Sequence, residues 1–194
     1  LLDKTAAHEI VARTLNLATG KVTLASATRS ELMSFDGIDL KTVFGPKWRM
    51  LLIGAGQLSQ AVAAMAQMLD FEVLVCDPRD EYAETLNIEH ATRVDGMPDD
   101  VVRELNPDAH TAIIALTHDP KLDDMALLEA LKSNAFYVGA LGSARNQATR
   151  KARLAEHFDM TQEELSRLHG PVGLKIGAKT PAEIAVAIMA QIIE

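Results

Sequence analysis

From residue 49 onward, short and mostly apolar runs alternate with segments whose apolar positions recur every three or four residues. The runs at 50–53, 72–76, 111–116 and 135–139, with a shorter one near 91–94, read as strands. Between them, 57–69, 80–86, 98–105, 120–132 and 144–157 read as helices; in the first, Leu58, Ala61, Val62, Met65, Met68 and Leu69 keep helical spacing. Strands that are apolar throughout, each followed by a helix, predict an α/β fold with a doubly wound, mostly parallel sheet covered on both faces. Two late helices are announced by capping boxes, Thr161 with Glu164 and Thr180 with Glu183, the second with Pro181 in its first turn.

The rhythm breaks at Phe44-Gly-Pro-Lys-Trp48, where a turn-forming Gly-Pro precedes the first core strand. Residues 48–194 form the domain that carries this alternation, and residues 1–47 read as a short N-terminal extension, the remnant of an N-terminal domain too small for an independent core. Within the extension His8 to Leu17 has weak helical character. Lys21 to Thr28 reads as a strand, with Thr19-Gly20 as a turn between the two.

Composition narrows the class. A chain of 194 residues with 48% hydrophobic content can bury a core of ordinary size. Its net charge of −8, with no concentration of Lys and Arg, argues against a nucleic-acid surface and equally against an acidic protein partner. The longest apolar stretches, Ala112 to Leu116 and Ala185 to Ile193, fall far short of a bilayer span. Cys76 is the only cysteine, so an internal disulfide is impossible and a reducing cytoplasm is the expected setting. The chain opens on Leu1 and not on methionine, which leaves room for an upstream segment.

The chemistry starts where the first core strand ends. Met50-Leu-Leu-Ile-Gly-Ala-Gly56 runs into a glycine turn, then a helix, then a second strand closed by Asp77. This is the outline of a dinucleotide-binding βαβ unit: Gly54 permits the tight turn and Gly56 lets backbone N–H groups approach a phosphate at the helix N-terminus. The fold is thus expected to be Rossmann-like, with Asp77 placed for a ribose hydroxyl. Ser59 stands where the fingerprint usually has Gly or Ala, at some cost in helix–sheet closeness. The bland alternative is a sharp turn that binds nothing.

Ligands of open α/β sheets bind beyond the carboxyl ends of the strands, and the remaining polar clusters fall there. They are Gln57 after the first strand, Asp77-Pro-Arg79 after the second, Thr117-His-Asp-Pro-Lys121 after the fourth, and Gly139-Ala-Leu-Gly142-Ser143 with Arg145 after the fifth. One crevice is expected to collect them. Asp119 before Pro120, and Ser143 before its helix, serve equally well as N-caps. His118 belongs to no core periodicity and reads as a polar contact. Arg145 opposes the helix dipole in a first turn, which a nearby anion would explain. The loop from His169 to Pro181, carrying Lys175 and Lys179, is either a rigid crossover or a second phosphate cradle. Cys76 beside Asp77 is either a reactive thiol or a small apolar strand residue.

Several chemistries lack their motifs. His8, His90, His110, His118, His157 and His169 show no metal-site spacing. Neither Tyr82 nor Tyr137 has a lysine four residues on, and there is no Gly-x-Ser-x-Gly elbow or Walker loop, so no catalytic residue is assigned.

Leu51-Leu-Ile-Gly-Ala-Gly56, Cys76-Asp-Pro-Arg79, Leu116 to Asp124, Tyr137 to Ser143 and the His169-to-Pro181 loop together resemble the C-terminal Rossmann domain of the xanthine dehydrogenase accessory factor family, XdhC/CoxI. The resemblance covers about residues 48–194. It implies a homodimeric accessory factor that binds molybdopterin cofactor, assists its sulfuration with a cysteine desulfurase, and delivers it to a molybdenum hydroxylase apoenzyme. On this reading Gly54, Gly56 and Gln57 meet a phosphate, Asp77 a ribose hydroxyl or pterin nitrogen, and Thr117, His118, Asp119, Gly142, Ser143 and Arg145 form the remaining polar face. Gln57 replaces the histidine often found after the second glycine in this family. The rival reading is an NAD(P)-dependent oxidoreductase in which Asp77 selects NAD, Arg79 leaves NADP open and His118 relays a proton. A third is an interaction module whose crevice is vestigial.

Overall fold

The computed structural model describes residues 1, 4, 9–28, 31, 33–79, 82 and 91–194. The chain divides into two compact units, Leu1–Lys47 and Trp48–Glu194. The helix expected over 80–86 lies outside the described residues apart from Tyr82, as do His8 and His90.

The first unit is an antiparallel sheet in the order β2-β1-β4-β3, built from β1 (Val11–Asn16), β2 (Val22–Ser26), β3 (Ser34–Phe35) and β4 (Asp39–Phe44). This corrects the helical reading of His8 to Leu17 over its described part. Val11 to Asn16 pairs with β2 on one side and β4 on the other, so its backbone groups are satisfied by neighbours and its weak helical spacing is overridden. Only Val11 and Ala12 are buried among the unit's described hydrophobic residues.

The second unit alternates strand and helix. β5 (Arg49–Ile53), α1 (Gln57–Met68), β6 (Glu72–Cys76) and β7 (Thr92–Arg93) form its first half. Then come α2 (Pro98–Leu105), β8 (Thr111–Ala115), α3 (Pro120–Ala130), β9 (Tyr137–Ala140), α4 (Ala144–Phe158), α5 (Gln162–Ser166), β10 (Leu168–His169) and α6 (Pro181–Ile193). Every neighbouring pair in the six-stranded sheet is parallel, and the order is β10-β9-β8-β5-β6-β7. Numbered from β5, this is the 3-2-1-4-5-6 order of a Rossmann fold, whose direction reverses between β5 and β8.

The alternation of side chains along β5 builds both cores. Met50 and Leu52 join a cluster with Val62, Ala66, Ile188 and Met189 of α1 and α6. Leu51 and Ile53 join Val101, Ala126, Leu127 and Leu154 of α2, α3 and α4 on the other face. Each fully buried Leu or Ile contributes roughly 1.5–3 kcal/mol, which fixes the sheet register to a single solution. In that register Cys76, Ile53, Ala115 and Ala140 lie level across the sheet, so the residues after them emerge at one edge. The opposite edge is closed by Trp48, whose ring lies 4.7 Å from His110 and 5.0 Å from Phe136. His110 is thereby part of a packing cluster.

Candidate functional site

Gly54 turns the chain at φ +108, a conformation that L side chains rarely adopt. A Cβ there would sit 3.0 Å from the Thr117 backbone, so the turns after β5 and β8 touch at the point where strand order reverses. Gly56 has a different role. It is the N-cap of α1 at φ −76, and a Cβ on it would meet nothing within 4 Å.

The start of α1 is distinctive among the described helices. Asp119 accepts from the Lys121 N–H at 2.9 Å, Ser143 from that of Asn146 at 3.2 Å, and Thr161 and Thr180 complete capping boxes with Glu164 and Glu183. α2 has no side-chain cap but starts with Pro98, Asp99 and Asp100. α1 has neither a side-chain cap nor an acid in its first turn. Among the described residues no side chain caps its first-turn N–H groups, which lie at the positive end of the helix dipole. Ser59, fully buried in that turn, has a hydroxyl without a partner among the described residues.

Asp77 follows the last residue of β6, and its carboxylate is already engaged. One carboxylate oxygen accepts from the Ala55 N–H at 2.9 Å and an Arg79 NH2 at 2.7 Å, the other from Arg79 Nε at 2.8 Å and the Arg79 backbone N–H at 3.2 Å. Burial alone would raise this carboxyl, but the Arg79 and Ala55 hydrogen bonds outweigh it and hold Asp77 below the usual carboxylate range. The Arg79 guanidinium also donates to the Thr117 carbonyl at 3.3 Å and lies 4.2 Å from the Tyr82 ring centroid. A ribose hydroxyl would have to displace this arginine to reach Asp77.

The polar clusters expected in one crevice fall into two groups. Gly54, Gly56, Gln57, Asp77 and Arg79 gather at the ends of β5 and β6. His118, Gly142 and Arg145 line a separate cavity of about 310 Å³ at the ends of β8 and β9, to which no residue of the first group contributes. Thr117 is the hinge between them, and Asp119 and Ser143 spend their side-chain oxygens as helix caps.

Beneath this cavity lies a buried ionic network that sequence reasoning missed. Asp123 accepts from the Thr117 hydroxyl at 2.7 Å and backbone N–H at 3.1 Å, and from Arg150 at 3.0 Å. Asp124 accepts from Arg150 at 3.1 Å and from Arg153 Nε at 2.8 Å. Burial pushes the Asp123 carboxyl up, while Thr117 and Arg150 oppose that shift. Gln147 donates to the carbonyls of Ala140 and Leu141, each at 3.0 Å, and accepts from Arg150 at 3.1 Å. The available signal was Asp123-Asp124 among the core positions Leu122, Ala126 and Leu127, with Gln147 and Arg150 on the buried face of α4.

The loop after β10 has the contacts of a rigid crossover. A Cβ on Gly170 would come within 2.5 Å of the Gln147 side chain, and one on Gly173 within 3.1 Å of the Ile188 backbone nitrogen. Glu183 accepts from the Lys179 and Thr180 N–H groups at 2.7 and 2.9 Å, so the α6 start is closed by its own residues. Cys76 is fully buried in β6, and its thiol is pushed up to about 12 by burial, then by Asp77 and Asp95, which disfavours the thiolate near neutral pH. Among the described residues no group of three or more His, Cys, Asp or Glu could hold a metal ion, and no helix is long and apolar enough to cross a membrane.

The sequence model of the XdhC Rossmann domain matches residues 50–192, spanning both strand-end groups. The chain belongs to this family. A Bacillus subtilis protein described as a probable xanthine dehydrogenase subunit is 33% identical over 150 residues, covering 77% of this chain and 43% of that protein. The molybdenum cofactor insertion chaperone PaoD of Escherichia coli is 33% identical over 85 residues, covering 44% of this chain and 26% of PaoD. This XdhC-type chain thus spans less than half the length of these curated relatives. A solved structure described as a xanthine dehydrogenase from Bacillus halodurans superposes with a TM-score of 0.73 at 24% identity, over 98% of this chain and 61% of that one, a likeness of fold.

Proposed function

We propose that this chain is the cofactor-holding domain of an accessory factor that supplies molybdenum cofactor to a molybdenum hydroxylase of the xanthine dehydrogenase type. The observation that carries the reading is the uncapped, sterically open start of α1 at Gly56, at the strand end where the family's glycine loop lies. A phosphate fits there: the first-turn N–H groups donate to its oxygens, Gln57 is exposed beside it, and the buried Ser59 hydroxyl adds an unpaired polar group to the same turn. Gly54 acts through turn geometry. Arg79 supplies positive charge, and Asp77 holds Arg79 and the Ala55 N–H in place. When bound, the cofactor brings the molybdenum dithiolene chemistry that its recipient enzyme uses.

The relatives' names support the assignment of role, since one is a molybdenum cofactor insertion chaperone. Assistance with sulfuration by a cysteine desulfurase, transfer to the apoenzyme, homodimerisation and a cytoplasmic setting belong to the same proposal. The nicotinamide alternative is disfavoured by the Arg79 clamp, which engages both oxygens of the acid that NAD would need.

The test is retention after gel filtration. Wild-type chain is expected to keep molybdopterin cofactor in preference to NAD or NADP. Gly56→Asp places a capping carboxylate where the phosphate would lie, so the variant stays folded and loses the cofactor. Equal retention by the two proteins defeats the assignment, and retention of NAD alone moves it to an oxidoreductase.

A further inference from the structure

The cavity at the ends of β8 and β9 carries a guanidinium and an imidazole that the internal network does not use. Arg150 and Arg153 are committed to Asp123 and Asp124. Arg145 is exposed on the cavity wall, and neither its guanidinium nor the His118 imidazole has a hydrogen bond or ion pair among the described residues. Arg145, Thr149 and Arg153 follow one another at four-residue spacing, so the wall runs along two turns of α4 and is not confined to its start.

The placement of His118 depends on the same network. Its backbone is left-handed, φ +62, a conformation a histidine adopts at a cost. The Thr117 hydroxyl accepts from the Asp119 N–H at 3.0 Å and donates to Asp123, which Arg150 anchors in turn. The ion pairs thus brace the turn that carries the unpaired imidazole.

A second hollow, of about 370 Å³, shares Pro120 and Arg153 with the first and has the opposite character. Met125, Leu128 and Phe158 give it an apolar lining, and Phe158 is 44% exposed. A polar, cation-bearing hollow therefore abuts an apolar one along the α3–α4 groove. We propose that the two form one bipartite site for an organic phosphate with an apolar body, the oxyanion meeting Arg145 and His118 and the body lying against Met125 and Leu128. The site is independent of the glycine-loop reading.

Calorimetric titration with 1-naphthyl phosphate and with inorganic phosphate tests it. Naphthyl phosphate is expected to bind at least about tenfold tighter than inorganic phosphate, because only it reaches the apolar hollow. Arg145→Ala, a change at an exposed residue that thermal melting should show to be folded, weakens naphthyl phosphate by about tenfold or more. Met125→Ser weakens naphthyl phosphate alone, and Gly56→Asp leaves the tighter binding of naphthyl phosphate in place. Unaltered binding by Arg145→Ala overturns the proposal, as does equal affinity for the two phosphates. Loss of naphthyl phosphate binding in Gly56→Asp overturns it too, by placing that ligand at the glycine loop, whereas failure of cofactor retention alone leaves this site standing.

Discussion

Two stretches of the same sheet edge treat their polar groups in opposite ways. Around α3 and α4 most of them answer one another: Asp123, Asp124, Gln147, Arg150 and the carbonyls of Ala140 and Leu141 form a closed network beneath the surface. At the start of α1 the N–H groups have no capping side chain and Ser59 has no partner among the described residues. The difference is between groups committed to the internal scaffold and groups left open. Internally satisfied groups set positions, and groups without an internal partner are left for something that arrives.

The comparison breaks most visibly at Arg150. Arg150→Met leaves two carboxylates buried without their shared cation, with an expected loss of about 3–5 kcal/mol in urea unfolding. A loss below about 1 kcal/mol, the range of surface ion pairs, would mean that the network does not lock this end of the sheet. Gly54→Ala comes next. The positive φ and the contact with Thr117 should together cost roughly 1–3 kcal/mol by the same measurement, whatever ligand is present. An unchanged midpoint would show that the turns after β5 and β8 do not meet as described.

The Asp77 carboxyl supplies a pH test. Its folded value is depressed, so the stability it contributes is present above the ordinary aspartate value near 4 and is lost as pH falls through the lower, folded value. Acid unfolding should therefore be steeper in wild type than in Asp77→Asn below about pH 4. Parallel acid limbs would remove the Arg79 clamp from the account. The smallest effects sharpen the contrast between helix starts. Thr180→Ala strips a working cap and should cost about 1 kcal/mol, whereas Gly56→Ser supplies a missing one and should change stability by only a few tenths of a kcal/mol, upward. The same serine should reduce cofactor retention. A Gly56→Ser protein that is markedly destabilised would show that the α1 start is not open.

Much of the second unit is legible in the sequence because its signals are local. Apolar runs, helical spacing and the two capping boxes lie within a few residues of one another, and the described strands and helices from β5 to α6, β10 apart, follow them closely. β1 departs from its local pattern because pairing with β2 and β4, which no local pattern records, decides its state. β3, β4 and β10 escape a sequence reading for the same reason. At the candidate site, Gly54, Gly56 and Asp77 are recognisable by spacing, but the capture of Asp77 by Arg79 depends on rotamers. The partition of His118 and Arg145 from the glycine loop depends on where Thr117 sits between two turns. The Asp123–Arg150 pair joins residues far apart in sequence, and only charged residues at core positions hint at it.

Gln147 carries a further implication. Its side chain holds the end of β9 while Gly142 and Gly170 stand aside for it, a Cβ on either lying 3.0 and 2.5 Å from the amide group. Three positions in different segments therefore record one steric bargain, and none can drift alone. In an alignment of descendants they should be inherited as a set, so a lineage that changes the glutamine should reveal, at the two glycines, whether it has rebuilt this end of the sheet.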